Sequence, residues 1–413
     1  MPPKRILYIH HGSARGGAFL SLLYLITALD RTKYEPIVCS SEADREVLDL
    51  FEKNGCRTCA CRLTRFAHTT GGTYNLLRYA GWRQFLTWLL EYNAAARRLK
   101  TLLLELKPDL VHFNSLTLAP YAKVPDSMCI PTIVHVRESI VNGLFGIRRK
   151  WLTRQIQHHA GKVIAICQDN LDRLHLNEEK SSVIYNPVDM GKFDFRIDRS
   201  LARKKLGIPD RAPVTLFAGG SVWDAKGLSE FIKAMHIVRT KMPGLICLMP
   251  GFSMPADPAQ RLWTLKRRIA WMLGLFRKSD RFFRLFKENG LDTKIICCDF
   301  VYDIENWLAA CDVVCVPHMQ PHFSRTVMEA GAMKKPVSGF SIGGVSEVVQ
   351  NDVTGLLVRR GDVSALADAT IKLLEDPVLA GRLGEAGYRQ AAAKFSADHS
   401  AQQVEKNYEE LIQ

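Results

Sequence analysis

Short, unbroken apolar runs that alternate with helical segments constrain the fold of this 413-residue chain more than any other feature. In the first half the runs are RILYIHH, YEPIVCS, LVHFN, TIVHVRE, KVIAIC and SVIYNP. In the second half they are VTLFAGG, LICLMPG, KIICCDF, DVVCVP, KPVSGF and GLLV. Strands that are apolar throughout are typical of a parallel sheet covered by helices on both faces. The sequence therefore predicts an α/β protein in which a doubly wound, Rossmann-like parallel sheet occurs twice.

A charged, irregular stretch near residues 188–212 separates the two sets of strands, and we interpret it as a linker. It predicts an N-terminal domain over 1–190 and a C-terminal domain over 191–395. Ligands of such domains bind where the strands end at their carboxyl edge, so we expect a ligand in a cleft there. The last helical segment, within residues 396–413, carries apolar side chains at near-helical spacing and is expected to pack against an apolar surface.

Composition indicates a balanced soluble protein with reduced thiols. Hydrophobic residues make up 47% of the chain and charged residues 24%, and the eleven cysteines mostly lie in apolar, strand-like runs. Such thiols are typical of a reducing compartment, which predicts a cytoplasmic location. Cys56, Cys59 and Cys61 crowd together, but the second pair that a zinc site requires is missing from the neighbouring sequence. No apolar run reaches the roughly 18 residues that cross a bilayer, so a membrane-spanning helix is not expected. The sequence also lacks a DxD-like acidic cluster, so a metal site is not expected.

Positive charge is concentrated in one segment. The formal charge of the chain is +14. Residues 261–287 contain nine Lys or Arg and a single acidic residue, Asp280, which gives this segment a net charge of +8. Its apolar residues recur at helical spacing, the composition of an interfacial helix that binds an anionic membrane. An alternative is a helix that packs on its own domain with a solvated basic face, and nucleic acid is disfavoured because no known nucleic-acid-binding module accompanies the segment. The predicted membrane-binding residues are Lys266, Arg267, Arg268, Trp271, Arg277 and Lys278.

A second aromatic and basic stretch, YNLLRYAGWRQFLTWLL from Tyr74 to Leu90, belongs to the first domain. We expect it to help seat a lipid tail.

Residues 322–349 place a polar turn, a helix and a Gly343-Gly344 loop in the order that nucleotide-sugar sites use. Ser324 is a candidate N-cap, and a helix N-terminus favours anions such as phosphate. Glu329 follows about a turn and a half later, where a carboxylate can accept hydrogen bonds from the two hydroxyls of a ribose. An ordinary amphipathic helix with a solvated glutamate fits the same residues.

In each of the two sets, one glycine pair follows the first strand. Gly16 and Gly17 open the first helix, and Gly219-Gly220 precede Lys226, whose ammonium group suits a diphosphate. A plain strand-to-helix turn and a solvated lysine are the alternatives. Neither pair is a tight GxGxxG, which disfavours a Rossmann-type oxidoreductase. His112 and His135 lie at predicted strand ends, where either a structural role or a contact with the reacting sugar is expected.

Taken in order, several motifs resemble those of the retaining glycosyltransferases of the large family-four group. They are the GG turn after strand one, HVRE, YNPVD, the GG-to-Lys226 loop, DIENWLAACDVVCVP, FSRTVMEAGAMKKPVSGFSIGGVSEVV, NDVTGLLV and RRGDVSALADA. The resemblance implies the GT-B architecture, in which two Rossmann-like doubly wound parallel-sheet domains face a cleft. It also implies that the terminal helix of residues 396–413 packs back on the N-terminal, acceptor-side domain.

The resemblance implies roles for individual residues. Glu329 would bind the donor ribose, Lys226 would neutralise the diphosphate and His135 would contact the transferred sugar, so these three form the predicted catalytic set. The predicted donor-binding residues are Gly16, Gly17, Gly220, Ser221, Phe300, Val301, Ser324, Arg325 and Thr326.

Two positions depart from the family pattern. Pro321 stands where the first glutamate of the family's pair is expected, and Ser221 replaces the arginine that usually accompanies the lysine. In the family, the glutamate and the arginine that this sequence lacks contact the sugar and the phosphates. The departures leave open an alternative, a non-catalytic GT-B protein that binds a nucleotide or glycan and acts through partners.

The predicted function is that of a retaining, metal-independent hexosyltransferase with a UDP- or GDP-linked sugar as substrate and no separate cofactor. An acceptor hydroxyl would attack the anomeric carbon on the face that the nucleotide leaves, and the departing diphosphate would take the proton. The expected acceptor is lipid-linked or a polysaccharide, and the expected location is cytoplasmic, peripheral on the inner face of the cell membrane. The sequence does not indicate an oligomeric state.

Overall fold

The computed structural model describes most of the chain. The described residues are 2–11, 16–70, 72–74, 79–176, 178–218, 225–252, 284–291, 294–298 and 301–412. They form two compact units. The first unit comprises Met1–Met190, Pro321–Arg325 and Ala393–Gln413, and the second comprises Gly191–Gln320 and Thr326–Ala392.

The first unit is built on a seven-stranded parallel sheet with the strand order β3-β2-β1-β6-β7-β8-β9, and β4 and β5 pair separately as a short antiparallel ribbon. The strands are β1 (Lys4–Ile9), β2 (Tyr34–Ser40), β3 (Arg57–Ala60), β4 (His68–Thr69), β5 (Gly72–Thr73), β6 (Leu110–Phe113), β7 (Thr132–Val136), β8 (Lys162–Ala165) and β9 (Ser181–Val183). Side chains of β1 alternate between two apolar cores, with Ile6 and Tyr8 in one and Leu7 and Ile9 in the other. Burial on both faces explains why the run RILYI is apolar without alternation.

Helices cover this sheet. They are α1 (Gly17–Thr27), α2 (Arg45–Lys53), α3 (Tyr79–Leu106), α4 (Lys123–Asp126), α5 (Ile147–His159), α6 (Gln168–Leu174) and the terminal helix α14 (Ala397–Leu411). Short 3₁₀ segments occupy Glu42–Asp44, Leu116–Tyr121, Leu144–Gly146 and Glu178–Lys180. Helix α14 inserts Ala401, Val404 and Tyr408 into the core that contains Ile6 and Tyr8. The apolar spacing of the last helical segment is therefore explained by packing within the first unit.

The second unit repeats the arrangement with a six-stranded parallel sheet of order β12-β11-β10-β13-β14-β15. Its strands are β10 (Val214–Leu216), β11 (Ile246–Pro250), β12 (Ile295–Cys298), β13 (Val313–Val316), β14 (Val337–Ser341) and β15 (Gly355–Arg359). Its helices are α7 (Arg199–Lys205), α8 (Leu228–Lys241), α9 (Ile304–Ala310), α10 (Arg325–Ala332), α11 (Val345–Val348), α12 (Val363–Glu375) and α13 (Pro377–Lys394). The chain enters this unit at Gly191, leaves it for Pro321–Arg325, returns within α10 and leaves it again within α13.

Most of residues 188–212, the predicted irregular linker, lie outside helices and strands, but a part of the stretch forms a helix of 7 residues. This helix is α7, whose first turn is capped by the Asp198 side chain. The Arg203 side chain is fully buried, and its guanidinium donates to the carbonyl oxygens of Ala310 (3.0 Å) and Ala212 (2.9 Å) and to both carboxylate oxygens of Asp312. Because its donors are matched by acceptors, a charged segment packs into the second unit instead of remaining in solvent.

Candidate functional site

The loop before α8 is pressed against the segment that follows β13. Gly227 has φ of +77°, and a Cβ there would lie 1.7 Å from the carbonyl oxygen of Pro317, so only glycine fits. The N–H groups of Met319 and Gln320 donate to the carbonyl oxygen of Ala225 at 2.9 and 3.1 Å. These contacts fix the backbone on both sides of Lys226 at the carboxyl edge of the second sheet.

Lys226 and Glu329 interact electrostatically within the second unit. Burial lowers the pKa of the Lys226 ammonium group, and the nearby Glu329 carboxylate partly offsets that change. The Lys226 Nζ atom also donates to the carbonyl oxygen of Ala218 at 3.4 Å. Glu329 lies on α10 and is 6% exposed. A desolvated cation and a buried carboxylate thus lie together, a pair that suits an anion and a diol.

Helix α10 begins at Arg325, directly after the buried Ser324. The Arg325 side chain, which is grouped with the first unit, donates from Nη1 to Ser21 Oγ at 2.9 Å and to the carbonyl oxygen of Pro187 at 3.2 Å. Its guanidinium also lies 5.4 Å from the centre of the Tyr24 ring. The Arg325 side chain therefore contacts other protein groups. The predicted contacts with the diphosphate are made instead by the backbone N–H groups of Ser324, Arg325 and Thr326.

Gly16 and Gly17 lie at the start of α1, as the sequence predicts. Gly16 precedes the helix with extended backbone, and Gly17 is exposed. A Cβ on Gly17 would lie 3.2 Å from Cδ of Arg325, so the glycine permits a close approach.

His135 terminates a buried chain of four polar side chains. The Tyr8 and Tyr408 hydroxyls are 2.7 Å apart, the Tyr408 hydroxyl is 2.8 Å from His112 Nδ1, and His112 Nε2 is 3.1 Å from His135 Nδ1. His135 Nε2 is buried and has no partner within the part of the chain that the structure describes. We name this chain of side chains the tyrosine–histidine relay.

Two directions of hydrogen bonding fit the relay. Burial lowers the pKa of His112 to about 3 and that of His135 well below its usual value, so both rings are neutral near pH 7. If Tyr8 donates to Tyr408, every hydrogen bond of the relay runs towards His135, and the last hydrogen lies on His135 Nε2. If the bonds run in the opposite direction, the last hydrogen lies on the fully buried Tyr8 hydroxyl. Only the first direction makes His135 Nε2–H a neutral donor, as the predicted sugar contact of His135 requires.

A second network, which sequence reasoning missed, fixes His10. Arg137 Nε donates to Asn114 Oδ1, and Arg137 Nη1 donates to Asn186 Oδ1 at 2.6 Å. The Asn114 amide nitrogen therefore points to His10 Nδ1, 3.0 Å away, and that ring nitrogen must accept. The His10 hydrogen consequently lies on Nε2, and burial lowers the pKa of His10 to about 3. The available signals were the HH pair that ends the first apolar run and the arginine of HVRE.

Several predicted site residues lie outside the described residues. These are Gly220, Ser221, Phe300 and the six membrane-binding residues Lys266, Arg267, Arg268, Trp271, Arg277 and Lys278. Val301 is described and half-buried. In the described ranges, His, Cys, Asp and Glu side chains form no group of three or more able to hold a metal ion. Within the same described ranges, no helix has both the length and the apolar character that crossing a membrane requires.

Two parallel, doubly wound units, with a cation and a carboxylate at the carboxyl edge of the second sheet, define a protein of the GT-B fold. Solved structures agree with this architecture. The Anabaena protein Alr3699/HepE in complex with UDP superposes with a TM-score of 0.76 at 20% identity, over 98% of this chain and 100% of that one. Sucrose-phosphate synthase from Thermosynechococcus elongatus superposes with a TM-score of 0.73 at 20% identity, over 99% of each chain. At these identities the likeness shows the fold.

Family models give the more specific identification. Residues 15–192 match Glycosyltransferase Family 4, and residues 198–390 match Glycosyl transferases group 1. Together the two matches cover all residues except 1–14, 193–197 and 391–413. The chain therefore belongs to the glycosyltransferase family that these two models describe.

Curated relatives match part of their length. The D-inositol 3-phosphate glycosyltransferase of a Nocardioides species is 29% identical over 224 residues, which are 54% of this chain and 46% of that protein. The lipopolysaccharide core biosynthesis mannosyltransferase LpsB of Rhizobium meliloti is 25% identical over 236 residues, 56% of this chain and 61% of that protein. The chain spans about half the length of the curated relatives it matches.

Proposed function

We propose that this protein is a retaining, metal-independent glycosyltransferase that moves a hexose from a UDP- or GDP-linked donor to an acceptor hydroxyl. The observation that carries the proposal is that Lys226 and the buried Glu329 are close enough to interact electrostatically at the carboxyl edge of the second sheet. In this assignment Lys226 neutralises the diphosphate and Glu329 accepts hydrogen bonds from the ribose hydroxyls. Solved neighbours in complex with UDP and with UDP-glucose support a uridine nucleotide as the first donor to test.

The chemistry asks the protein to stabilise negative charge that develops on the departing diphosphate. The acceptor hydroxyl attacks on the face that the nucleotide leaves, and the diphosphate takes its proton. Lys226 and the backbone N–H groups at the start of α10 supply the stabilisation, because preorganised charge and dipoles usually make the largest catalytic contribution. His135 Nε2–H is assigned to a hydroxyl of the transferred sugar.

The proposed acceptor is lipid-linked or a polysaccharide at the cytoplasmic face of the membrane. Helix α3 supports a lipid surface, because Tyr79, Trp82, Leu86, Leu89 and Leu90 are between 45% and 82% exposed. At 100° per residue these five side chains fall on one stripe, which we name the α3 stripe. Exposed tryptophan and leucine on one helical face are typical of binding at a membrane interface. The name of the Rhizobium meliloti relative, which mentions lipopolysaccharide core biosynthesis, agrees with this class of acceptor.

A non-catalytic sugar- or nucleotide-binding protein is the second candidate. It is favoured by Pro321 in place of the first motif glutamate. Nη1 of Arg325 donates to Ser21 and to the carbonyl oxygen of Pro187.

Release of nucleoside diphosphate from a panel of UDP- and GDP-sugars distinguishes the two candidates. We expect wild type to release it from at least one donor, and Lys226→Ala and Glu329→Ala each to lower the rate by about 100-fold or more. Lys233→Ala removes an exposed lysine from α8 and serves as the control, with unchanged release. Nucleotide binding without release in wild type would contradict the enzyme, and full rates in both site variants would contradict the site.

A further inference from the structure

The Arg137 side chain is buried without a carboxylate partner in the part of the chain that the structure describes. It follows β7 and is 8% exposed. Nε donates to Asn114 Oδ1 and Nη1 donates to Asn186 Oδ1, and both acceptors are neutral amides. Nη2 is buried and has no partner among the described residues. Burial of a guanidinium group is unfavourable unless an anion compensates its charge, so two amide contacts do not account for this arginine.

The charged groups around Arg137 leave its charge uncompensated. Burial lowers the pKa of Arg137 to about 9, and the Glu138 carboxylate offsets part of that change. Glu138 itself accepts hydrogen bonds from the Ser115 hydroxyl at 2.6 Å and from the Leu116 N–H at 3.1 Å. The Arg325 guanidinium, which is grouped with the same unit, lowers the pKa of Arg137 further. Two guanidinium groups near one engaged carboxylate create a positive potential that favours another anion.

His135 and Arg137 lie on the same face of the first sheet. Ile133 of β7 packs into one core of the unit, whereas Val134 and Val136 pack into the other. Side chains alternate along an extended chain, so His135 shares the face of Ile133, and continued alternation places Arg137 on that face just after β7. After the larger effect of burial, the charge of Arg137 also lowers the pKa of His135, which indicates that the two groups are close.

Together the two side chains offer a neutral donor and a charged donor. With Tyr8 as the donor to Tyr408, His135 Nε2 carries a hydrogen that suits a sugar hydroxyl. Arg137 Nη2 is a charged donor that suits a carboxylate. Two residues of extended chain span about 6.6 Å, which is of the order of one sugar ring. A single ring with both a hydroxyl and a carboxylate therefore matches the pair.

We propose that the transferred sugar is a hexuronic acid, whose carboxylate pairs with Arg137 while a ring hydroxyl accepts from His135 Nε2–H. The inference rests on the proposed glycosyltransferase function and names the sugar of its donor. The diphosphate of the donor is assigned to Lys226, so Arg137 requires a different anionic group. A neutral hexose has only a hydroxymethyl group where a hexuronic acid has its carboxylate, and it would leave the buried guanidinium uncompensated.

Affinities of matched sugar nucleotides for the full chain test the inference. Titration calorimetry compares UDP-glucuronic acid with UDP-glucose, and GDP-mannuronic acid with GDP-mannose. We expect at least one acidic donor to bind about tenfold or more tightly than its neutral counterpart, because a hydrogen bond between two charged groups is stronger than one to a neutral hydroxyl. UDP and GDP without a sugar provide the reference for nucleotide binding.

Arg137→Gln removes the positive charge and keeps an amide donor near Asn114. We expect this variant to lose the preference for the acidic donor and to bind UDP as tightly as wild type does. Arg97→Gln neutralises an exposed arginine of α3, serves as the control and should keep the preference. The comparison within wild type is decisive even if Arg137→Gln does not fold.

Two results would overturn the inference. The first is that wild type binds neither acidic donor more tightly than its neutral counterpart, which includes the case in which no donor binds. The second is that Arg137→Gln weakens the binding of UDP as much as that of UDP-glucuronic acid, because Arg137 would then hold the diphosphate. Tight binding of an acidic donor without release of nucleoside diphosphate would support the sugar assignment and contradict the proposed transferase function, so the two failures are distinguishable.

Discussion

At the scale of single residues, long-range partners fix protonation that the residue type leaves open. A neutral histidine carries its hydrogen on either ring nitrogen, and a neighbouring donor selects one of them. Asn114, itself oriented by Arg137, makes this selection for His10. When Tyr8 donates to Tyr408, Tyr408 does the same for His112, and through it for His135. Both selections then leave an N–H on the nitrogen that has no protein partner in the described residues.

Tyr408→Phe tests whether the relay positions the hydrogen of His135. Without the Tyr408 hydroxyl, His112 Nδ1 loses its donor, so we expect both tautomers of His112 and of His135 to become populated. Nitrogen-15 chemical shifts of the two rings report the tautomers directly. We expect kcat to fall several-fold while the affinity for UDP stays the same.

Tyr34→Phe is the matched control for this variant. Its ring packs 5.4 Å from that of Tyr408, but its hydroxyl is outside the relay. Unchanged tautomers and an unchanged kcat are expected. Unaltered ring shifts in Tyr408→Phe would show that the relay does not determine the hydrogen position.

At the scale of secondary structure elements, burial and exposure depart from simple expectations in α7 and α3. A charged stretch became the packed helix α7, because backbone carbonyls and Asp312 surround the Arg203 guanidinium. Helix α3 leaves the α3 stripe in solvent although its opposite face, with Trp88, Ala95 and Leu99, is buried. The first case reflects satisfied hydrogen bonds, and the second leaves an apolar surface exposed, which agrees with the proposed lipid contact.

Removal of the Asp312 carboxylate should destabilise the second unit. Asp312→Ala leaves the fully buried Arg203 guanidinium without its anion, and breaking such a pair costs about 3–5 kcal/mol. Arg199→Ala removes the exposed partner of the same carboxylate and should cost less than about 1 kcal/mol. Urea unfolding followed by tryptophan fluorescence measures both. Equal losses for the two variants would show that burial of Arg203 does not determine the energy.

The α3 stripe should bind anionic lipid. Leu86→Gln combined with Leu90→Gln removes apolar area from the stripe, so we expect a clear drop in flotation with phosphatidylglycerol vesicles. Leu201→Gln, an exposed leucine of α7, is the control and should float like wild type. Equal flotation of the stripe variant and wild type would contradict a membrane role for α3.

At the scale of the whole molecule, buried neutral histidines concentrate in the first unit. Burial lowers the pKa of His10 and His112 to about 3 and of His68 to about 4, against an ordinary value of 6.5. Burial also lowers the pKa of His135 well below its ordinary value. All four side chains belong to the unit built on the seven-stranded sheet.

This arrangement predicts that the first unit loses stability as the pH falls below about 6.5. The unfolded chain binds protons at these histidines in that window and the folded unit does not, so each group removes about 1.4 kcal/mol per pH unit. Above about pH 6.5 both states are neutral and the stability is fully present. Hydrogen exchange of β6 peptides, corrected for intrinsic rates, should rise more steeply between about pH 7 and pH 5 than that of β13 peptides. Parallel behaviour of the two strands would contradict the prediction.

The sequence by itself determined the features that depend on neighbours along the chain. Apolar strand runs predicted both parallel sheets, because burial on two faces demands apolar residues at consecutive positions. The motif spacing also singled out Lys226 and Glu329, which interact electrostatically within one unit, and their role as site residues stays a prediction.

Only the tertiary structure decided the features that need partners distant in sequence. His112 contacts Tyr408 across 296 residues, and Arg203 contacts Asp312 across 109. The irregular composition of 188–212 hid α7, since the acceptors that neutralise Arg203 lie in other segments. Hydrogen bonds of buried polar groups depend on which side chains the fold brings within about 3 Å, and that proximity is absent from local patterns. The fold therefore follows from the order of apolar runs, whereas protonation and charge in the cavities follow from their three-dimensional packing.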